Sequence, residues 1–309
     1  MGVLDGKVVW VTGGGNGIGR DCALIAAKEG AAVVVNDLGG GLHGGDEGSA
    51  GPAEAVADEI RKGGGKAFSN SDSVTSLTAM NALRDQTLKQ LGGLHAVINP
   101  AGILRDAMFH KMTEQDWDNV IGVHLRGSFN VCRATIEHFR EQSGGAYVLY
   151  TSTSGLYGNI GQTNYGSAKM GIAGLARIIA MEGAAKNIRA NAIAPVAWTR
   201  MTQSVPVRDE AQAARRAQMA ATVRPDQPAK LSVALCSDAA KDISGQFFGS
   251  RGDDIILYSQ PRPIVTLHKD EGWTPEVIIR EALPQLREKA IPLASPLRQA
   301  QAQPAQARA

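Results

Sequence analysis

Cysteine is scarce in this chain. Only Cys22, Cys132 and Cys236 occur, far apart and without a CxxC pair. That argues against a disulfide framework and a cysteine zinc site, and it favours a reducing compartment. The six histidines form no HxxxH or HExxH pair, so the usual zinc-protease spacings are absent too. Charge of one sign is also lacking: the formal net charge is +2, which predicts no bulk attraction to nucleic acid or acidic membranes. No apolar run approaches the ~20 residues of a membrane span. The N-terminus runs straight into a strand pattern, with no signal peptide expected. These absences lead us to expect a cytoplasmic protein with no metal, no nucleic-acid partner and no membrane span. A length of 309 residues fits one large α/β domain with an appendage, or two smaller domains.

Glycine is abundant, with 36 residues. The chain is organised around residues 147–171. Tyr147–Thr151 is an apolar, β-branched run that reads as a strand ending at Ser152. Gly155–Gly161 reads as a loop, and a helical pattern starting near Asn164 carries Tyr165 and Lys169. Positions i and i+4 share a helix face. A phenol with an ordinary pKa of about 10 is a poor proton shuttle. A cation within about 4–6 Å lowers that value. Lys169 is spaced to do this, and Ser152 to donate a hydrogen bond to a substrate oxygen whose charge changes. The trio suits proton transfer at an alcohol or carbonyl while a hydride moves at carbon. A surface Tyr, a solvated Lys and a strand-end Ser are the plain alternative.

The rest of the chain weighs in order. Lys7–Val11 is a short strand that enters a turn holding Gly13, Asn16, Gly17, Ile18 and Gly19, and a helix follows. Such a unit brings backbone N–H groups and a helix N-terminus against a pyrophosphate. The next strand, Ala31–Asn36, ends at Asp37, eighteen positions after Gly19. A carboxylate there accepts both ribose hydroxyls of an adenosine and repels a 2′-phosphate, so the cofactor expected is NAD. Leu38–Pro52 is a glycine-rich surface insertion placed to fold over the adenosine. Ala53–Lys62 and Leu77–Leu91 read as helices and Lys66–Asn70 as a strand. Asp72, before Ser73, can accept from an adenine amino group or cap a helix. Ala96–Asn99 leads into Asn99-Pro100-Ala101-Gly102, whose small residues let a ribose pass; Asn99, Ala101 and Gly102 are expected cofactor contacts. Glu114–Phe139 reads as a long helical stretch. Arg189–Ala194 is a strand ending in Pro195, with Thr199 beyond it where a loop can meet a nicotinamide. Glu210–Thr222 reads as a helical lid, Ala229–Ser237 as a helix, and Gly245–Leu257 contains a last strand.

Strands alternating with helices predict a doubly wound, Rossmann-type parallel sheet with helices on both faces over residues 1–257. Residues 258–309 read as a C-terminal extension. In it Ile264–His268 is a possible strand, Thr274 and Pro275 start an amphipathic helix, and Pro284 is expected to kink that helix. Its apolar face suits either the chain's own core or a neighbouring subunit.

TGGGNGIG at 12–19, NPAG at 99–102, and Ser152, Tyr165 and Lys169 together resemble the short-chain dehydrogenase/reductase family over about residues 5–255. VVVNDLGG at 33–40, AGILRD at 101–106, VHLRGSF at 123–129 and YGNIGQTNY at 157–165 resemble more closely the (3R)-hydroxyacyl-CoA dehydrogenase module of peroxisomal multifunctional β-oxidation enzymes and their bacterial relatives. The resemblance implies Tyr165 as acid/base, Lys169 as pKa modulator and ribose ligand, and Ser152 as the group that orients the substrate oxygen. It implies NAD-dependent oxidation of a (3R)-hydroxyacyl-CoA and a homodimer or homotetramer. His124 stands where the broad family carries a catalytic Asn, Pro100 replaces an Asn, and Val196 replaces a Gly. A steroid or other secondary alcohol is the alternative substrate. Those three departures support a further alternative, a nucleotide-binding scaffold without turnover.

Overall fold

The computed structural model describes residues 2–41, 43–44, 48–197 and 222–291, with the single positions 210, 213, 214, 217 and 220. The chain divides into two units, Met1–Tyr258 and Ser259–Ala309.

The first unit is built on eight strands in the order β3-β2-β1-β4-β5-β6-β7-β8. These are β1 (Val8–Thr12), β2 (Ala32–Asn36), β3 (Ala67–Asn70), β4 (Ala96–Asn99), β5 (Gly145–Tyr150), β6 (Ile188–Val196), β7 (Phe247–Arg251) and β8 (Asp254–Leu257). The central strands read VVWVT, AVVVN and AVIN. Runs of this kind, apolar on both faces, form strands only when helices cover both sides. Successive side chains alternate between faces. Val9, Val11, Val33, Val35 and Ile98 therefore pack in one core with helix α1 (Gly17–Lys28) and helix α2 (Gly51–Lys62). Trp10, Val34, Val97, Tyr147 and Leu149 pack in the other with α3 (Leu77–Leu91), α5 (Gly127–Glu141) and α7 (Thr163–Gly183). Each such side chain, fully buried, contributes about 1.5–3 kcal/mol relative to exposure.

Register aligns the site. Thr12 pairs with Asn36 across β1–β2, and Val11 with Ile98 across β1–β4. The carboxyl ends of β2, β1 and β4 thus lie side by side, and strand order reverses between β1 and β4. A crevice opens at such a reversal.

Three expectations are corrected. The helical stretch at 114–139, by contrast, holds: α4 (Glu114–Ile121) passes through a π-helical turn, Gly122–Arg126, before α5. The turn is flanked by glycines, and a Cβ on Gly127 would come within 2.7 Å of Val74, so side-chain bulk is excluded there. The last region holds two strands, with β8 antiparallel to β7 across the turn at Gly252 and Asp253. The stretch after β5 is not wholly a loop, because a helical turn, α6 (Thr153–Leu156), opens it. Ile264–His268 forms no strand. The expected lid at 210–222 and Thr199 fall largely or wholly outside the described residues. The described positions 210, 213, 214, 217, 220 and 222 are helical, and α8 (Asp226–Cys236) follows them.

In the second unit, Thr274 caps a helix by accepting from Val277 N at 3.3 Å, with Pro275 at its first position. Proline at 284 withholds the N–H that would bond four residues back. The chain absorbs that loss as a π-turn, Ile278–Ala282, before Leu283–Lys289. Lys269 pairs with Glu281 at 2.8 Å and lies 5.8 Å from the Trp273 ring centroid.

Candidate active site

A cavity of about 400 Å³ runs along the carboxyl ends of the central strands. Its floor is the turn between β1 and α1. Gly13 and Gly17 hold φ of 56° and 51°, the left-handed region that glycine enters freely. A Cβ on Gly19 would lie 2.0 Å from Gly13 O. Asn16 caps α1 by position only, without a side-chain bond, and the first turn holds no acid. The first N–H groups of a helix have no partner within it. Here Asn16, Gly17, Ile18 and Gly19 line the cavity, so those donors suit a pyrophosphate.

Asp37 lines the same cavity at the end of β2. Its Oδ2 accepts from Gly15 N at 2.8 Å and its Oδ1 from Gly39 N at 2.7 Å. A carboxylate has about four lone-pair sites, so acceptor capacity remains for hydroxyls. Among the described residues lining the cavity, Lys169 is the only Lys or Arg. Asp72 and Ser73 also line it, and the cap of α3 is Ser76 rather than Asp72. Asn36 holds this turn in place, donating to Asn70 Oδ1 at 2.8 Å and Asp72 O at 2.9 Å. Sequence reasoning passed over Asn36; its signal was a polar residue closing an apolar strand. Ala101, Gly102 and Pro195 line the cavity.

Asn99 is the exception. It is buried, and its amide is committed on both sides: Thr12 Oγ1 donates to its Oδ1 at 2.5 Å, and its Nδ2 donates to Ser128 Oγ at 2.8 Å. Ser128 Oγ in turn donates to His124 O at 2.6 Å. Asn99 therefore ties β1, β4 and α5 together beneath the crevice, and it is absent from the cavity wall.

Tyr165 and Lys169 sit one turn apart on α7 and both line the cavity. Lys169 is 3% exposed, and its Nζ lies 5.4 Å from the Tyr165 ring centroid and donates to Tyr150 O at 2.7 Å. Thr151 Oγ1 donates to Lys169 O at 2.7 Å, pinning the helix to the end of β5. Burial drops the Lys169 ammonium to about 7. Burial pushes the Tyr165 phenol up to about 12, a hydrogen bond from Ser152 works against the rise, and Asp106 adds to it. In the protein alone, desolvation therefore sets the direction at the phenol. Ser152 does not line the cavity; it caps α6 by accepting from Ser154 N at 3.1 Å and reaches the site through Tyr165.

His124 enters the site because the π-turn rotates it inward. It is 1% exposed, and its ring meets Tyr165 edge-on, with centroids 5.1 Å apart. Its Nε2 lies 2.7 Å from Ile103 O and 3.1 Å from Ile103 N. A Cβ on Gly102 would strike the ring at 2.1 Å, so glycine is required there. Burial first, and Lys169 second, hold His124 well below its ordinary pKa, so the imidazole is neutral.

The sequence profile described as short chain dehydrogenase matches residues 7–210. A Mycobacterium tuberculosis protein described as a short-chain type dehydrogenase/reductase is 54% identical over 204 residues, covering 66% of this chain and 71% of that protein. The mouse peroxisomal multifunctional enzyme type 2 is 40% identical over 276 residues, 89% of this chain; the chain spans only 36% of that enzyme's length. A hydroxyacyl-CoA dehydrogenase of Mycobacterium tuberculosis is 36% identical over 269 residues, covering 84% of this chain and 81% of that enzyme. Among solved structures, a short chain dehydrogenase from Mycobacterium avium superposes with a TM-score of 0.82 at 37% identity, covering 94% of this chain and 98% of that one. A 7α-hydroxysteroid dehydrogenase in complex with NADH and 7-oxoglycochenodeoxycholic acid superposes with a TM-score of 0.71 at 31% identity, covering 81% of this chain and 94% of that one. The glycine turn, the paired Tyr165 and Lys169 and these likenesses agree: the chain belongs to the short-chain dehydrogenase family, oxidoreductases of CH–OH groups that work with a nicotinamide nucleotide.

Proposed function

We propose that this enzyme interconverts a (3R)-3-hydroxyacyl-CoA and the 3-oxoacyl-CoA with NAD. The observation that carries the reading is one crevice holding both ends of the chemistry: Asp37 at one end, Tyr165, Lys169 and His124 at the other. A nicotinamide, when bound, supplies the hydride acceptor or donor. For oxidation, Tyr165 Oη takes the substrate hydroxyl proton, Ser152 Oγ, hydrogen-bonded to Tyr165 in the free protein, turns its donor to the same oxygen when substrate is bound, and the Lys169 ammonium stabilises the negative charge on the phenol. His124, neutral and bonded to Ile103, holds the wall against which the Tyr165 ring packs. The Asp37 carboxylate, with no cation beside it on the cavity wall, favours NAD over a 2′-phosphorylated cofactor. The acyl-CoA assignment is supported by the relative named as a hydroxyacyl-CoA dehydrogenase. A second reading, a steroid or other secondary alcohol, is supported by the hydroxysteroid dehydrogenase likeness.

The deciding experiment is reduction of NAD by a chain-length series of (3R)-3-hydroxyacyl-CoA thioesters, run beside steroid alcohols and simple secondary alcohols. Turnover of steroids with none of any acyl-CoA overturns the first reading in favour of the second. We also propose a homodimer or homotetramer, since Phe129 on α5 and Ile178 and Met181 on α7 are exposed. A monomer by light scattering would refute it. A cytoplasmic location fits the three free, buried cysteines. Among the described residues, no helix is long and apolar enough to cross a membrane.

A further inference from the structure

The segment that leaves β2 does more than connect it to α2. Described residues His43 and Gly44 are hydrogen-bonded to the chain just beyond β4. His43 Nδ1 donates to Leu104 O at 2.8 Å. Arg105 Nε donates to His43 O at 2.7 Å, and Arg105 Nη2 to Gly44 O at 3.3 Å. The guanidinium is itself steadied by Asp116 at 3.3 Å. Gly44 lies against Ile103 so closely that a Cβ would come within 3.0 Å of its Cδ1.

Strand order turns these bonds into a topological statement. β1 lies between β2 and β4. A segment that starts at the end of β2 and is fastened beyond β4 must cross the end of β1, and so must cross the Gly13–Gly19 turn. Leu38, Gly40, Gly41 and Gly44 line the same cavity as Gly17 and Ile18. Glycines on the crossing segment leave its backbone free to lie against whatever rests on the turn.

We propose that the described residues 38–41, 43 and 44 form a strap over the dinucleotide and that Arg105 is the positioning residue that clasps it. The inference rests on the cofactor reading of the crevice. Bound dinucleotide then leaves only after the clasp opens, so the clasp sets the release rate. Arg105 touches neither the turn nor the reacting atoms, and its side chain makes no bond to Tyr165, Lys169 or His124.

Two variants test this. Arg105→Ala removes both bonds from the guanidinium. Deletion of residues 40–47 removes the strap and leaves Gly39-Gly48 as a two-residue turn closed by the existing Ser49 N to Leu38 O bond of 2.8 Å. Gly39 and Gly48 already hold φ of 72° and 80°, the sign that a tight two-residue turn requires at both positions. Release of reduced cofactor is read by stopped-flow fluorescence displacement, and hydride transfer by single turnover. Loss of charge-assisted hydrogen bonds predicts release at least about tenfold faster in both variants. Hydride transfer in Arg105→Ala should stay within about threefold of the parent. Arg105→Lys keeps the charge but not the planar fork, so it should fall between. Should Arg105→Ala fail to fold, the deletion decides. Parent-like release from the deletion variant overturns the strap while leaving the cofactor reading intact. A parent that binds no dinucleotide overturns both together.

Discussion

Replacing Lys169 with methionine separates what its burial does to stability from what its charge does to catalysis. Methionine keeps most of the apolar stem and removes the Nζ that donates to Tyr150 O. The Lys169 ammonium is lowered by burial from 10.5 to about 7 in the folded protein. Between those values the unfolded chain binds one proton more than the folded chain. Unfolding free energy therefore rises with pH through that window, by about 1.4 kcal/mol per unit. Below pH 7 the group is charged in both states and the slope vanishes. His124, held below its ordinary value by burial first and Lys169 second, adds its own rise below pH 6.5, and removing the lysine relieves the second cause, so the two proteins are compared above pH 7. The phenol of Tyr165 enters only above pH 10. Lys169→Met lacks the lysine slope. The slope is half-developed at pH 7, so the parent should gain about 2.3 kcal/mol on the variant between pH 7 and 9. At roughly 2–4 °C per kcal/mol, the gap in Tm should change by about 5–9 °C over those two units. Turnover should fall about 10²–10⁴-fold, as for other positioned proton-transfer groups. Urea unfolding followed by circular dichroism at pH 6, 7, 8 and 9, without cofactor, reads the effect. Parallel stability curves for the two proteins from pH 7 to 9 would mean that Lys169 stays charged in its buried site, and the reasoning would fail.

Three further substitutions are informative. Tyr165→Phe should cost about 10²–10⁴ in turnover while cofactor affinity by fluorescence titration stays near the parent value; a loss of only a few-fold sinks its role as the acid/base. Asp37→Ala should weaken NAD and admit NADP, read as the ratio of kcat/KM for the two cofactors; an unmutated enzyme that uses both equally refutes the Asp37 argument. Gly19→Ala places a Cβ 2.0 Å from Gly13 O, against backbone that cannot yield cheaply. It should abolish dinucleotide binding or lower the Tm by several degrees, and a parent-like titration and melt would count against the turn geometry.

Local pattern accounts for much of what proved readable. Leu77–Leu91 and Ala96–Asn99 occur where their periodicity places them, because runs that alternate or repeat at 3.6 carry their own signal. The glycines of the first turn were legible for the same reason: a left-handed φ, or a 2.0 Å approach, admits almost nothing else. The bonding of Asn99 is not legible locally, because an Asn side chain serves a crevice or a buried network equally well, and only its neighbours Thr12 and Ser128 commit its amide to the network.

By itself the order of residues determined the alternation of strands and helices, the glycine turn, the carboxylate closing β2 and the spacing of Tyr165 with Lys169, since each is a property of a few consecutive positions. Tertiary structure alone decided the π-turn that swings His124 onto Tyr165, the reversal of β8, the contest between burial and charge at the phenol, and the fastening of His43 to Arg105. Those depend on which distant segments meet and how much water they exclude, quantities that no local spacing encodes.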